Sequence, residues 1–268
     1  MPEPTPAHSP PPASASGHIL RVCALYPDLM NIYADRGNLL VLEHRCAWRG
    51  IGFELASSGL GEPLDPDAHD LFYLGGGQDR DQRLCAEDLI ETKRQALHEA
   101  AARDAVILGV CGGYQLLGHS YTLGEDRISG VGLLDVRTVR EDGPRLIGNV
   151  AIETSLEDER NSSESSESPR QLLVGFENHG GRTYLDPGAQ PLGRVLKGHG
   201  NDGRSGFEGA RDGNTIGTYL HGPLLPKNAW FSDWLIAMAL AIDRSELAAL
   251  DDAFERDAHL SARSAAGV

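Results

Sequence analysis

The chain has 268 residues, of which 40% are hydrophobic, and its formal net charge is −15 at pH 7. This length suffices for one α/β domain with additions or for two small domains. The negative charge argues against a nucleic-acid groove, because phosphate binding needs clustered Lys and Arg. No apolar run reaches the roughly 18 residues of a transmembrane helix, so no membrane insertion is expected.

The cysteines and the N-terminus both indicate a cytoplasmic protein. Cys23, Cys46, Cys85 and Cys111 include no C-x-x-C pair and suggest no disulfide framework, which favours free thiols in a reducing compartment. Residues 1–17 are rich in Pro, Ala and Ser and lack the basic start and apolar centre of a signal peptide. We therefore predict a disordered leader.

The first half of the chain alternates between strand and helix patterns. Apolar runs of strand length occupy residues 19–26, 51–57, 71–74 and 106–110, helical spacing occupies residues 38–48 and 79–102, and a further helix begins over 115–119. A β-α-β order of this kind implies a parallel sheet with right-handed crossovers. The prediction is an α/β fold with a mainly parallel central sheet flanked by helices.

From Gly130 onward the pattern changes to short strands and Asn/Gly-rich turns. Strand patterns occupy residues 131–140, 146–152, 172–177, 193–196, 206–210 and 215–220. Residues 155–170 are acidic and Ser-rich, which is typical of a disordered insertion. An amphipathic helix follows over 228–242, and residues 244–268 suit a second short helix and a fraying tail. We therefore predict one domain over residues 18–243 with an extra β-rich second half.

A candidate nucleophile lies within residues 105–118, where an apolar strand ends at Cys111 before two glycines and a helical pattern. At a sharp strand-to-helix turn, the helix dipole and free N–H groups favour the thiolate. This is the cysteine form of a nucleophile elbow. Taken alone, the pattern also suits a buried cysteine followed by a glycine turn.

A cysteine nucleophile needs a base, and histidine is the usual one because its pKa lies near neutrality. Of ten histidines, His221 stands out because it closes a predicted strand, as Cys111 does. Both would emerge at the carboxyl edge of a parallel sheet, where ligands bind. His179 is the competing candidate, its alternative role being a turn histidine bonded to the backbone. His199, among glycines, suits a loop.

A glycine loop follows the predicted strand over 71–74. Residues 75–79 have the sequence Gly-Gly-Gly-Gln-Asp, and three glycines let the backbone turn tightly and bring N–H groups close to a ligand. A flexible loop is the alternative. Asp79 or a neighbour is placed to cap the helix that follows.

Four motifs in order give the chain a family resemblance from about residue 20 to residue 241. They are the Gly-Gly-Gly-Gln-Asp loop, Cys-Gly-Gly-Tyr-Gln-Leu-Leu-Gly, Gly-Phe-Glu-Asn-His-Gly-Gly-Arg-Thr and Gly-Thr-Tyr-Leu-His-Gly-Pro-Leu-Leu-Pro-Lys. Together they resemble class I glutamine amidotransferases of the cobyric acid synthase-like branch. Within that branch they are most similar to the glutaminase subunits of lipid II isoglutaminyl synthases.

The resemblance implies roles at the matching positions. Cys111 would be the nucleophile and His221 the general base. The oxyanion donors would be backbone N–H groups at Gly112 and in the glycine loop, with Gly76 and Gly77 as the candidates there. The implied reaction is hydrolysis of glutamine to glutamate and ammonia by way of a cysteine thioester.

Substrate binding is also implied by the resemblance. Gln115, one helical turn after the cysteine, would line the glutamine pocket. In the subunits that the chain resembles, an arginine downstream of the cysteine is important for activity and partner function, and Arg145 is the candidate here. A positive charge there could bind the α-carboxylate of glutamine, while a solvated strand-end arginine is the alternative.

One position departs from the family pattern. Many class I amidotransferases have a Glu two residues after the base, but this chain has Pro223 there. A Cys–His dyad is therefore expected, which is workable because a cysteine needs less activation than a serine. Glu177 and Asn178 are possible groups to orient His221.

The resemblance also implies a partner, since free ammonia is useful only to an enzyme that consumes it. That partner would be a Mur ligase-like ATP-dependent synthetase subunit, which amidates the D-glutamate of the lipid II stem peptide to D-isoglutamine. No cofactor is expected in this chain, and ATP and Mg²⁺ are expected on the partner, in agreement with the lack of a P-loop motif. The chain would lie at the cytoplasmic membrane face only through its partner and lipid substrate.

Two other functions remain open on the sequence. One is a cysteine hydrolase or peptidase of the same superfamily, which would share the nucleophile elbow. Such an enzyme is not expected to have both the Gly-Gly-Gly-Gln-Asp loop and the Tyr-Gln pair that follows Cys-Gly-Gly. The other is a non-catalytic regulatory subunit, against which the presence of both Cys111 and His221 argues.

Overall fold

The structure, a computed structural model, describes residues 17–31, 36–154, 156 and 171–268. The leader and the acidic insertion that the sequence predicts to be disordered lie outside the described residues, apart from Gly17 and Leu156. The strands are β1 Ile19–Leu25, β2 Gly52–Ser58, β3 Leu71–Leu74, β4 Val106–Val110, β5 Ser120–Leu123, β6 Asp126–Ser129, β7 Val136–Arg140, β8 Leu146–Thr154, β9 Gln171–His179, β10 Gly181–Leu185, β11 Gly193–Lys197, β12 Phe207–Glu208, β13 Ala210–Asp212 and β14 Thr215–Thr218. The helices are α1 Arg36–Trp48, α2 Asp79–Asp88, α3 Arg94–Ala102, α4 Gly112–Leu117, α5 Ala229–Ala239 and α6 Ala253–Ala266, with a π-helical segment at Leu89–Lys93 and 3-10 turns at Leu225–Lys227 and Arg244–Glu246.

A six-stranded sheet of order β13-β14-β4-β3-β1-β2 forms the centre of the fold. The strands from β14 to β2 run parallel, and β13 pairs antiparallel with β14. Strands β3 and β4 are buried along their whole lengths, as expected for apolar strands covered on both faces. The carboxyl ends of β3, β4 and β14 consequently lie side by side, where open α/β sheets bind ligands.

Two four-stranded sheets account for the second half, with orders β10-β7-β5-β6 and β12-β11-β8-β9. Strands β8 and β9 pair antiparallel along their full lengths. Phe176 of β9 also forms an isolated antiparallel bridge with His221, which joins this sheet to the central sheet beyond the end of β14. The predicted α/β class, with a mainly parallel central sheet and a β-rich second half, is confirmed.

The long helix predicted over 79–102 is present but contains a π-helical turn at Leu89–Lys93. The wider turn accompanies the complete burial of Lys93. Its Nζ donates a hydrogen bond to the Gly59 carbonyl at 2.9 Å and pairs with Asp88. Gly59 comes from another part of the fold, so local helical spacing could not predict the interruption.

Other elements differ from the sequence predictions. Helix α4 begins at Gly112 and not at Gln115, because the chain turns sharply at Cys111. The β5–β6 hairpin and β10 were not predicted. Their stretches are short and polar, and they become strands through pairing, with β5 and β10 on either side of β7 and β6 beside β5.

The C-terminal segment also differs, since α6 continues to Ala266 in place of a short helix and a fraying tail. Arg45, with a side chain only 1% exposed, donates to the carboxylates of Asp233 and Asp252 at 2.6–3.0 Å and so ties α1 and α5 to the start of α6. At the other end, Asn149 Nδ2 donates to the Ala265 carbonyl at 2.9 Å. None of the described helices combines the length and apolar character that crossing a membrane requires.

Candidate active site

Cys111 stands at the turn between β4 and α4 in a strained backbone conformation, with φ 54° and ψ −106°. A non-glycine residue at positive φ costs energy, and such strain is typical of a nucleophile elbow. The position is held by the Cys111 N–H, which donates to the Thr218 carbonyl at 2.8 Å. The sheet pairing of β4 with β14 therefore fixes the backbone at the cysteine.

The glycine loop packs directly against this elbow. Gly113 N–H donates to the Gly75 carbonyl at 3.0 Å. A Cβ added at Gly113 would lie 2.1 Å from the Leu74 carbonyl oxygen, and one added at Gly112 would lie 2.9 Å from the Gly77 nitrogen. Only glycine permits this approach, which brings the main-chain nitrogens after Cys111 beside those of the loop.

A polar cavity of about 360 Å³ opens beside Cys111. Its lining comes from the glycine loop, the start of α2, the elbow, β5 and the end of β9. The described lining residues are Gly77, Gln78, Asp79, Arg80, Gln82, Cys111, Gln115, Tyr121, Arg145, His179 and Gly180. The cavity thus contains the predicted Gly77, Cys111, Gln115 and Arg145 together.

Gln115 is buried one turn beyond the cysteine and is oriented by a hydrogen-bond chain. Its Nε2 donates to the Tyr219 hydroxyl at 3.0 Å, and that hydroxyl lies 2.6 Å from Thr183 Oγ1. These bonds hold the Gln115 side chain in place at the cavity.

His179 also lines the cavity, but its contacts indicate a structural role. The imidazole stacks on Tyr219 with ring centroids 3.6 Å apart and planes 5° from parallel. Its Nδ1 is 2.8 Å from the Gly181 carbonyl oxygen, which makes Nδ1 the protonated donor, and Nε2 is 3.8 Å from Glu177 Oε2. The turn role foreseen for His179 fits these contacts.

His221 lies just beyond β14, three residues after the carbonyl that holds Cys111. Its backbone N–H and carbonyl both pair with Phe176 at 3.0 Å, and its side chain is buried. Burial, followed by electrostatic interactions with His179, Lys227 and Arg145, lowers the pKa of His221 to about 4. The imidazole is therefore neutral at neutral pH, as a proton acceptor must be.

Glu177 and Asn178, considered above as groups that orient His221, both have hydrogen bonds to other residues. The Glu177 carboxylate accepts from the backbone N–H groups of His199 and Gly200 at 2.6 and 2.9 Å. Asn178 accepts from Arg145, whose Nε and Nη2 donate to its side-chain and main-chain oxygens at 2.7 Å each. Pro223 occupies the position of the usual carboxylate.

Several residues of the cavity were not singled out from the sequence. Tyr121 lies on the unpredicted β5, so no local signal pointed to it. Asp79 was considered only as a helix cap, whereas it is the first residue of α2 and its carboxylate accepts from the Tyr121 hydroxyl at 3.3 Å. No described group of three or more His, Cys, Asp or Glu side chains is placed to hold a metal ion.

Glu208 is a fully buried carboxyl group beside the end of β14. Its oxygens accept from Thr218 Oγ1 at 2.9 Å and from the Tyr219 N–H at 2.6 Å, so it holds the strand end that leads to His221. Burial is the main cause that raises the pKa of Glu208 to about 8, with the nearby charge of Glu177 acting in the same direction.

We predict that this raised pKa makes the folded chain less stable as the pH rises. Between pH 4.5 and 8 the unfolded chain loses the Glu208 proton while the folded chain keeps it, so folding stability declines across this window and not below it. The full slope for one proton is about 1.4 kcal/mol per pH unit. Urea unfolding of the wild type and Glu208→Gln at pH 5 to 8 measures it, and an equal decline in both proteins would contradict the assignment.

The fold and the elbow together define a class I glutamine amidotransferase architecture, and comparison with known proteins agrees. The sequence pattern of the CobB/CobQ-like glutamine amidotransferase domain matches residues 21–229, and the chain belongs to this family. It has the glutamine amidotransferase activity that defines the family.

Similarity to individual proteins narrows the comparison within this family. The chain is 38% identical over 223 residues to the lipid II isoglutaminyl synthase (glutamine-hydrolyzing) subunit GatD of Staphylococcus aureus, covering 83% of this chain and 85% of the relative. It is 35% identical over 222 residues to the subunit of the same name from Streptococcus pneumoniae, covering 82% and 80%. A probable cobyric acid synthase of Methanosphaera stadtmanae is 30% identical over 52% of this chain and 28% of its own length. Among solved structures, PurLQS from Thermotoga maritima shares the fold, with a TM-score of 0.54, 22% identity and coverage of 75% of this chain and 87% of that chain.

Proposed function

We propose that this chain is the glutaminase subunit of a lipid II isoglutaminyl synthase. It hydrolyses glutamine through a cysteine thioester and supplies the ammonia to a Mur ligase-like subunit. The observation that carries the proposal is the cavity in which Cys111, Gln115 and Arg145 meet. His221, which follows the neighbouring strand β14, is not among the described lining residues and is proposed as the base because its lowered pKa keeps it neutral. The length and sequence identity of the match to the two GatD subunits support lipid II isoglutaminyl synthase as the enzyme to which this chain contributes.

In the first half of the reaction, the Cys111 sulfur attacks the side-chain amide carbon of glutamine. His221 takes the thiol proton, and the negative charge that develops on the amide oxygen is stabilised by N–H groups at Gly112 and in the loop containing Gly76 and Gly77. His221 then gives the proton to the leaving nitrogen. Ammonia departs and a glutamyl thioester remains on Cys111.

In the second half, His221 accepts a proton from water, which attacks the thioester carbon. The carbon–sulfur bond breaks, glutamate leaves and the cysteine recovers its proton. Neutral His221 suits both halves, because each begins with proton acceptance. The dyad needs no carboxylate for the proton balance, in keeping with Pro223 at the usual carboxylate position.

Ammonia that escapes into water at neutral pH becomes ammonium, which is not a nucleophile, so we propose direct delivery to the partner. That subunit would hold ATP and Mg²⁺ and activate the D-glutamate carboxylate of the lipid II stem peptide. Amidation then gives D-isoglutamine in the peptidoglycan precursor. The chain would work in the cytoplasm of a bacterium, at the inner membrane face, through this partner and its lipid substrate.

A coupled assay tests the proposal. The purified chain, the Mur ligase-like subunit from the same organism, ATP, Mg²⁺ and lipid II should give amidated lipid II with either glutamine or ammonium chloride. With Cys111→Ala in place of the wild type, only ammonium chloride should support amidation. Hydrolysis of peptides without hydrolysis of glutamine would instead identify a peptidase, and glutamine turnover that never yields amidated lipid II would refute the pathway.

Arg145 provides a further prediction. If its guanidinium binds the α-carboxylate of glutamine, Arg145→Ala should lower kcat/KM for glutamine by about 10- to 100-fold, mainly through KM, since a charge-assisted hydrogen bond contributes about 1.5–3 kcal/mol. The same change removes a positive charge near His221 and should shift the acid limb of the pH profile upward. Arg127→Ala, on exposed β6, is the matched control. Equal kcat/KM in Arg145→Ala and the control would contradict the role.

A further inference from the structure

The cavity beside Cys111 contains charges of both signs. Asp79 is the one carboxylate among its described lining residues, and Arg80 and Arg145 supply guanidinium groups. Cys111 and Gln115 are uncharged at the deeper end, where the proposed chemistry on the amide takes place. The charged groups therefore face the part of a bound glutamine that does not react.

Tyr121 lies where the opposite charges meet. Its side chain is 2% exposed, and its hydroxyl donates to Asp79 Oδ1 at 3.3 Å. Burial is the main cause that raises the pKa of Tyr121; among the charges, Asp79 raises it further while Arg140 and Arg145 lower it. The carboxylate and these two guanidinium groups are thus arranged around a single phenol.

The contact with Tyr121 positions Asp79 without neutralising it. A phenol hydroxyl donates one hydrogen bond but carries no charge, so the carboxylate keeps its negative charge and its capacity to accept further hydrogen bonds. Arg83, one turn further along α2, pairs with Asp126 instead, at 2.7 Å. A cationic group that enters the cavity would therefore meet Asp79 as its counter-charge.

We infer that Asp79 determines specificity by binding the α-ammonium group of glutamine, opposite Arg145 at the α-carboxylate. The inference rests on the proposed glutaminase function and adds the means by which the site selects a free amino acid. A glutaminyl residue inside a peptide, or an N-acylated glutamine, lacks the ammonium charge and would leave the Asp79 carboxylate without its partner. Charge-assisted hydrogen bonds of this kind are the strong ones in recognition.

The test compares L-glutamine with glutaramate, which is glutamine without its α-amino group. The wild type should prefer glutamine, and Asp79→Asn should lower kcat/KM for glutamine by about 10- to 100-fold, through KM, while leaving glutaramate hydrolysis unchanged. The asparagine keeps an acceptor for the Tyr121 hydroxyl, so the cavity wall is preserved. Asp81→Asn, which removes a charge from the same helical turn but not from the cavity lining, is the matched control.

The outcomes separate this inference from the function on which it rests. An equal loss for both substrates in Asp79→Asn, or an unchanged preference for glutamine, would overturn the role of Asp79 while leaving the glutaminase intact. If the wild type does not release ammonia from glutamine, the proposed function fails. In that case glutamine and glutaramate binding to Cys111→Ala, with and without Asp79→Asn, still decides whether Asp79 recognises the ammonium group.

Discussion

Replacing Cys111 with alanine is expected to lower kcat for glutamine hydrolysis by at least about 1,000-fold, because Cys111 is the one thiol among the described residues that line the cavity and would form the acyl intermediate. Release of glutamate and ammonia measures the effect. The fold should persist, since the thiol is replaced by a smaller side chain and the Cys111 N–H bond to Thr218 belongs to the backbone.

Cys85→Ala is the matched control. That thiol is completely buried on α2, and burial raises its pKa to about 12, so it does not ionise at neutral pH. The control should retain full turnover. Residual hydrolysis in Cys111→Ala comparable with that of Cys85→Ala would show that Cys111 is not the nucleophile.

Loss of the His221 imidazole is expected to lower kcat/KM by about 100- to 10,000-fold, the usual contribution of a positioned general base. The wild-type profile should keep its activity below pH 6 and fall only near pH 4, because the lowered pKa keeps His221 neutral above that value. Measuring kcat/KM of His221→Asn over a pH series gives both the loss of activity and the expected disappearance of the fall near pH 4.

The exposed His199, whose backbone rather than side chain contacts Glu177, is the control, and His199→Ala should leave the pH profile unchanged.

The linkage between protonation and folding stability gives a second measurement for His221. Since its folded-state pKa is depressed, the stability that neutral His221 contributes is present above pH 6.5 and is lost as the pH falls through 4. An acid limb near 6.5 in both wild type and His221→Asn would exclude His221 as the base.

The central sheet could be predicted from the sequence because its strands are buried on both faces. Val106–Val110 and Leu71–Leu74 are uninterrupted apolar runs, and the structure places β4 and β3 over those same residues. The β5–β6 hairpin could not be predicted in this way. Only Ile128 of β6 is buried, so no alternation in that strand distinguishes it from a polar loop.

The residues of the candidate site likewise include some that could be predicted from the sequence and some that could not. Cys111, the glycine loop and His221 each follow an apolar strand, so topology alone brings them to one sheet edge. Tyr121, on the unpredicted strand β5, and Glu208, on the short strand β12, are brought near the site by tertiary packing. The raised pKa of Glu208 and the lowered pKa of His221 arise from burial, which no local pattern of residues encodes.

The groups around His221 bear on its protonation state as the proposed base. Burial is the main cause that lowers the pKa of His221, and electrostatic interactions with His179, Lys227 and Arg145 act in the same direction. Neutral His221 is thereby favoured in the resting state. We therefore propose that the reaction begins with proton transfer from the Cys111 thiol to neutral His221.

The most direct test of the central claim is mass spectrometry of the chain after acid quenching during glutamine turnover. We predict a glutamyl group on the peptide that contains Cys111, in a thioester linkage that hydroxylamine releases, and none on Cys23, Cys46 or Cys85. Slowing the second half of the reaction with His221→Asn should increase the trapped fraction relative to the rate of turnover. Continued turnover with no glutamyl group on Cys111 at any quench time, or with the group on another residue, would contradict the mechanism.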